Sequence, residues 1–128
     1  MKPTTIALAF VCVALAGTAA AKTYIDNEKT VAQDCSKDPE ATIVGNGNKL
    51  TFTGTCAAIT VAGNENTVTI ASVKVLDVPG NGNKVTADAT DQVSVPGNRN
   101  QVGWKKGLSD KKAKLSDSGN DNKISQPK

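Results

Sequence analysis

The amino-acid sequence predicts an all-β protein: a short parallel β-solenoid of about five coils, with two strands per coil. The phrase Gly-Asn-x-Asn-x-aliphatic occurs five times, with its first glycine at positions 45, 63, 80, 97 and 119. This nearly constant spacing indicates a repeat architecture. Apolar and polar residues also alternate on both sides of each phrase, which is the period of a half-buried strand.

Residues 1–21 have the layout of a secretory signal peptide, with cleavage expected near Ala21. A basic start at Lys2 precedes an apolar run that is too short to span a bilayer comfortably. Cys12 lies within this run and is assigned to the removed segment. The mature chain is therefore expected to be periplasmic or secreted, without a membrane span. Its weak net charge does not point to nucleic acid.

The rest of the chain divides into a polar lead-in at 22–34, a repeat domain at 35–126 and a tail at 127–128. Cys35 and Cys56 are expected to form a disulfide, because an exported chain meets an oxidising compartment. A redox-active pair normally has the much closer Cys-x-x-Cys spacing. We interpret the bridge as pinning an N-terminal cap over the first coil.

Four apolar columns are predicted to face inward and to merge into one thin core when the coils stack. The two columns before the phrase are Ala41, Ile59, Leu76, Val93, Leu115 and Ile43, Val61, Val78, Val95, Asp117. The two after it are Leu50, Val68, Val85, Val102, Ile124 and Phe52, Ile70, Ala87, Trp104, Gln126. Asp117 and Gln126 interrupt the columns in the last unit, as expected where the stack ends.

The repeated phrase itself is interpreted as a tight corner, because Gly and Asn tolerate positive φ. Stacked corners would also align the asparagines so that each amide donates to its neighbour's carbonyl. The two predicted ladders are Asn46, Asn64, Asn81, Asn98, Asn120 and Asn48, Asn66, Asn83, Asn100, Asn122. Replacing Asn83 with leucine should therefore destabilise the protein more than a surface position would suggest.

The ordered units "IVGNGNKLTFTGTC", "ITVAGNENTV", "LDVPGNGNKV", "VSVPGNRNQVGW" and "SGNDNKIS" closely resemble the bacterial exported family catalogued as domain of unknown function 3060. The resemblance covers about residues 35–126. It implies an extracytoplasmic β-rich repeat domain and no established biochemistry, so it supplies no functional residues.

The residues do not favour an enzyme, a cofactor or a metal site. The chain has no histidine, which removes the commonest general base. Hydrolysis of sugars by two carboxylates is the remaining option, with Asp77, Asp88 and Asp91 as candidates. Asp117 and Asp121 are close enough in sequence to hold a calcium ion, but ordinary turn chemistry is the favoured interpretation.

Two features suggest binding. The insertion in the last unit carries a candidate polyanion patch of Lys105, Lys106, Lys111, Lys112 and Lys114. The alternative interpretation is a solvated loop that prevents end-to-end stacking. An outward threonine column is also predicted, but only one unit has a Thr-x-Thr pair, which argues against ice binding. The column comprises Thr51, Thr69 and Thr86, and it lies beside Lys49, Thr67 and Lys84.

These features favour an exported, non-enzymatic structural or interaction module that offers flat polar faces to a protein or glycan of the cell envelope. The alternatives are a small carbohydrate-active enzyme or envelope-glycan binder, and an immunity or inhibitor protein. The sequence leaves the oligomeric state and the handedness of the coil open.

Overall fold

The computed structural model of the protein describes residues 22–108 and 113–125. These residues form nine strands and no helix, and every strand pair is parallel. The strands are β1 (Lys22–Tyr24), β2 (Thr30–Asp34), β3 (Glu40–Ile43), β4 (Lys49–Val61), β5 (Thr67–Asp77), β6 (Lys84–Val95), β7 (Gln101–Lys106), β8 (Lys114–Asp117) and β9 (Lys123–Ser125).

The strands wind into a β-solenoid of about six turns, which confirms the predicted fold class. Each turn has one strand segment before the Asn-rich corner and one after it. The central strands β4, β5 and β6 are long because each contains the segment after one corner, a bend, and the segment before the next. The pairing keeps equivalent residues aligned, for example Val68 with Val85 and Leu76 with Val93.

Residues 22–34 form an additional first turn, beyond the five predicted from the repeated phrase. In this segment β1 pairs with β3 and β2 pairs with β4. The Asn27 Oδ1 accepts a hydrogen bond from the backbone N–H of Asn46 at 2.8 Å, so the outer ladder begins here. Asp26 and Lys29 occupy the positions that are Gly and Asn in the other corners, which hid this turn from the repeat pattern.

The inward columns form the core as predicted. Ile43, Ile59, Leu76 and Val93 have no measurable solvent exposure. In the last turn, by contrast, Leu115 is 50% exposed, because no further coil among residues 22–108 and 113–125 covers it. The exposed Asp117 ends a second column in the same turn. Gln126, predicted to interrupt a further column, lies outside the described residues.

The predicted disulfide between Cys35 and Cys56 is present, but it does not pin a cap over the stack. Cys35 follows β2 in the first turn, and Cys56 lies in β4 in the second. Their Cα atoms are 4.9 Å apart, and both side chains belong to the buried core. The bridge therefore joins two adjacent coils side by side.

Replacing both cysteines with alanine is expected to lower the free energy of unfolding by about 3 kcal/mol, because a closed loop of this size restricts the unfolded chain. Urea unfolding followed by circular dichroism measures the change. Wild type unfolded in the presence of a reductant is the control, since it keeps both side chains. An unfolding midpoint that reduction leaves unchanged would contradict the prediction.

Candidate interaction face

The corners owe their shape to two different positions in the Gly-Asn-x-Asn phrase. Positive φ occurs at the variable residue between the two asparagines, as at Glu65 (54°), Gly82 (66°) and Arg99 (56°). The first glycine and the asparagines do not adopt it, so the predicted reason for them was wrong. The first glycine is needed instead for close stacking, because a Cβ added at Gly80 would overlap the carbonyl oxygen of Gly63 in the coil before.

The asparagines of the inner ladder form buried hydrogen bonds that join the corners of successive coils. The backbone N–H of Asn83 donates to Asn100 Oδ1, and Asn83 Nδ2 donates to the carbonyl of Gly63, both at 2.9 Å. Asn83 Oδ1 in turn accepts from the backbone N–H of Asn66 at 2.8 Å. The predicted surface location of Asn83 was wrong: Asn48, Asn66, Asn83 and Asn100 are all buried.

The outer ladder runs the opposite way along the stack. Asn64 donates through both its backbone N–H and its Nδ2 to Asn46 Oδ1, at 2.9 and 3.0 Å. The equivalent bonds join Asn81 to Asn64 and Asn98 to Asn81. In the inner ladder each backbone donor points to the following coil, and in the outer ladder to the preceding one. The two columns therefore fix the register from both directions.

The strand segments after the corners form a flat surface, which we call the lysine–threonine face. Its first column comprises Thr30, Lys49, Thr67, Lys84, Gln101 and Lys123. Its second column comprises Ala32, Thr51, Thr69, Thr86, Gly103 and Ser125. All of these residues are exposed except the half-buried Gly103. Lysine recurs in every second coil from the second to the sixth.

Gly103 makes a depression in this otherwise even surface. The cavity has a volume of about 300 Å³, and its polar lining includes Lys84, Thr86, Lys123 and Ser125. The backbone does not require a glycine here, since an added Cβ would meet only the Ser125 backbone oxygen at 3.6 Å and its Oγ at 3.8 Å. The missing side chain leaves the depression open.

The opposite face, formed by the segments before the corners, carries a column of small polar residues: Thr42, Thr60, Asp77, Ser94 and Ser116. Within it, partial burial raises the pKa of Asp77 above its ordinary value of 3.8, and a hydrogen bond with Ser94 opposes the shift. The folded protein therefore holds this proton more tightly than the unfolded chain does.

Asp77→Asn is expected to stabilise the protein at neutral pH by a few tenths of a kcal/mol, because the charged carboxylate is only partly desolvated. Protonation of Asp77 favours the folded state fully below 3.8, and this contribution is lost as the pH rises through the folded pKa. The difference from wild type should vanish in acid. Thermal unfolding across that pH range is the measurement, and a constant difference would contradict the assignment.

The predicted lysine patch is not brought together as one surface by the described residues. Lys105 and Lys106 end β7, and Lys105 Nζ lies 3.4 Å from Asp88 Oδ1. Lys114 begins β8 on the opposite face, where it pairs with Gln92. The other two predicted members, Lys111 and Lys112, lie outside the described residues.

The candidate acids hold local structure. Asp88 pairs with Lys105, and Asp91 Oδ1 accepts from the backbone N–H of Leu108 at 2.9 Å. Asp117 Oδ1 accepts from Asn122 Nδ2 at 2.8 Å and from the backbone N–H of Gly119 at 3.3 Å, which is turn chemistry. Across residues 22–108 and 113–125, no cluster of three or more His, Cys, Asp or Glu side chains is arranged to bind a metal ion.

Stacked coils, Asn ladders and a buried inter-coil disulfide define the protein as a short parallel β-solenoid. The chain belongs to the family described as protein of unknown function (DUF3060), whose profile matches residues 43–78 and 73–121, more than half of the chain. The resemblance predicted from the sequence is thereby confirmed. Searches of curated proteins and of solved structures found no match. In the described part of the chain, no helix is long and apolar enough to cross a membrane.

The sequence placed Lys49, Thr67 and Lys84 beside the outward threonine column, and the structure confirms this part of the face. The continuation of the lysine column through Gln101 to Lys123 was not predicted. The signal was available two residues before each of Thr51, Thr69, Thr86, Gly103 and Ser125, where the repeats read Lys, Thr, Lys, Gln and Lys.

Proposed function

We propose that the protein is an exported, non-enzymatic interaction module of the cell envelope, and that it binds its partner along the lysine–threonine face. The observation that carries the proposal is the register of that face. Exposed lysines and hydroxyl-bearing residues form two straight columns, aligned coil by coil on a continuous parallel sheet. A partner with a linear repeat would meet the same groups several times.

Rigidity supports this function. Each coil is joined to the next by strand pairing, and its corner is joined by both Asn ladders. Groups held on such a scaffold lose little backbone freedom when they bind, so more of the interaction energy appears as affinity. Solenoids commonly use extended surfaces of this kind for recognition.

The carboxylates support a binding role over glycoside hydrolysis. Two catalytic carboxyl groups must flank one substrate about 5–10 Å apart. Asp88 is engaged by Lys105, and Asp91 holds the backbone of Leu108. Asp77 lies on the opposite face.

Export is supported by the predicted signal peptide and by the disulfide. A buried bridge between adjacent coils suits an oxidising compartment, where it forms and persists. The proposed location of the mature protein is therefore the periplasm or the outside of the cell.

Co-sedimentation of the purified mature protein with envelope fractions of the producing organism tests the proposal. Lys49→Glu with Lys84→Glu reverses two charges on the lysine–threonine face and should abolish binding. Lys74→Glu with Lys114→Glu makes the same change in net charge away from that face, and binding should persist. Equal loss in both pairs, or no binding by wild type, would contradict the proposal.

The enzymatic alternative is tested separately with Asp88→Asn and Asp91→Asn. Purified cell-wall glycans are incubated with wild type or each variant, and the products are separated by chromatography. The proposal predicts unchanged glycans in every reaction. Fragments formed by wild type and lost in either variant would favour the enzyme.

A further inference from the structure

Resting on the proposed function, we infer that the partner of the lysine–threonine face is a linear acidic polysaccharide with a negative charge on every second sugar. The inference rests on the alternation of charged and uncharged side chains in the first column of the face, which in successive coils contains Lys49, Thr67, Lys84, Gln101 and Lys123. Parallel strands lie about 4.8 Å apart, so the lysines repeat at about 10 Å along the rod. An extended glycan with alternate acidic sugars presents its charges at a comparable interval.

The three lysines are free to meet such a charge. Lys49, Lys84 and Lys123 are exposed, and they take part in neither of the ion pairs that the described residues form. Those pairs are Lys22 with Asp38 and Lys105 with Asp88. A row of unpaired ammonium groups on one face creates a positive field that favours a polyanion.

The residues between the lysines suit the uncharged part of a sugar chain. Thr67 and Thr69 each offer a hydroxyl, which both donates and accepts hydrogen bonds, and the amide of Gln101 does both through separate atoms. Sugar hydroxyls need both kinds of partner. The depression at Gly103 lies between Thr86 and Ser125 in the second column, and Lys84 and Lys123 also line it. It adds room for a ring substituent beside both lysines.

The corner restricts where a polyanion lies. The exposed corner positions two residues before the first column of the face include Glu28, Glu65 and Asp121, with Arg99 between the last two. The three carboxylates outnumber the single guanidinium, so an acidic chain is directed away from the corner and toward the threonine column. Nucleic acid is disfavoured, because base recognition uses aromatic stacking, and the aromatic residues of the described chain are buried or half-buried.

Titration calorimetry with defined oligosaccharides of equal length tests the inference. Hyaluronan oligosaccharides carry a carboxylate on every second sugar and should bind, with an affinity that falls as salt is added. Polygalacturonate, charged on every sugar, should bind more weakly because half of its charges meet no lysine. Neutral chitin oligosaccharides and polyglutamate should each bind more weakly than hyaluronan. An affinity equal to that of hyaluronan for polygalacturonate, chitin oligosaccharides or polyglutamate would overturn the inference.

Matched charge variants locate the binding. Lys49→Gln, Lys84→Gln and Lys123→Gln combined should weaken hyaluronan binding by about ten-fold or more, as the loss of three exposed ion pairs predicts. Lys37→Gln, Lys74→Gln and Lys114→Gln combined remove the same charge elsewhere and should leave affinity within about two-fold, since distant exposed charges are screened. An equal loss in both triple variants would show general attraction and overturn the inference.

Gly103→Val tests the depression without removing a charge. Its Cβ meets only ordinary contacts, and a β-branched residue suits a strand. The melting temperature of the variant is measured as well, because only a variant with an unchanged melting temperature assigns a loss of affinity to the depression. Hyaluronan affinity should fall several-fold because the side chain fills the cavity, and unchanged affinity would remove the depression from the site. If no glycan binds but envelope co-sedimentation still depends on Lys49 and Lys84, the inference fails and the proposed function stands. If both assays are negative, both fail.

Discussion

Gly80→Ala is expected to prevent folding or to lower the free energy of unfolding by at least about 3 kcal/mol, an overpacking cost at the upper end of those seen in protein cores. The new Cβ would overlap the backbone carbonyl oxygen of Gly63. That oxygen also accepts the hydrogen bond from Asn83 Nδ2, so it cannot move away without breaking the inner ladder. The position of a Cβ is fixed by its own backbone, so no side-chain rotation can relieve its overlap with the carbonyl oxygen of Gly63.

Gly82→Ala is the matched control, two residues away in the same corner. Gly82 has a φ of 66°, and an added Cβ would lie 3.5 Å from Glu65 Cγ, an ordinary contact. The left-handed conformation costs an L-residue about 1–2 kcal/mol. Glu65 and Arg99 already adopt it at the equivalent position of neighbouring coils. Urea unfolding of both variants provides the comparison, and equal losses would refute the stacking role of Gly80.

Asn83→Leu is expected to lower the free energy of unfolding by about 4 kcal/mol. It leaves two buried backbone groups without hydrogen-bond partners, which costs about 1–3 kcal/mol for each group. It also removes further hydrogen bonds of the inner ladder. The groups are the N–H of Asn66, which donates to Asn83 Oδ1, and the carbonyl of Gly63, which accepts from Asn83 Nδ2. Water cannot replace either bond at a site that is 1% exposed.

Asn64→Leu makes the same substitution in the outer ladder. Asn64 is exposed, and its Oδ1 accepts from Asn81 N and Nδ2 at 3.2 and 3.3 Å. Water can satisfy Asn81 after the change, so a loss of only about 1 kcal/mol is expected. Denaturant unfolding of Asn83→Leu and Asn64→Leu measures the loss in free energy of unfolding for each variant, and the two losses are then compared. A larger loss for Asn64 than for Asn83 would show that the outer column carries the stack.

The stack, the core columns and both ladders were predictable because each depends on periodicity, which a sequence displays directly. Ile59, Leu76 and Val93 recur at the coil period, and the coordinates place them in one column. The first coil was missed because Asp26 and Lys29 break the phrase, although Asn27 and the apolar residue Val31 keep their places.

The reason why the first position of the phrase is glycine could not be inferred from the sequence of a single coil. Tolerance of positive φ is a local property, whereas the contact of Gly80 with Gly63 exists only between coils. The lysine–threonine face was predicted only in part, as Lys49, Thr67 and Lys84 beside the threonine column. The full alternation of lysine has a period of two coils, so it is not among the features that all the repeats share.

Asp26 stands at the one corner where the first glycine is replaced, and this has a consequence for self-assembly. In each following corner a Cβ at the equivalent position would strike the carbonyl oxygen of the coil beneath. Asp26 carries a Cβ, and its backbone carbonyl accepts a hydrogen bond from Asn48 Nδ2 of the next coil at 2.7 Å. A second molecule that seated its last coil under the first in the same register would bring the carbonyl oxygen of its Gly119 against this Cβ, so we expect Asp26 to oppose head-to-tail growth of the rods into fibres.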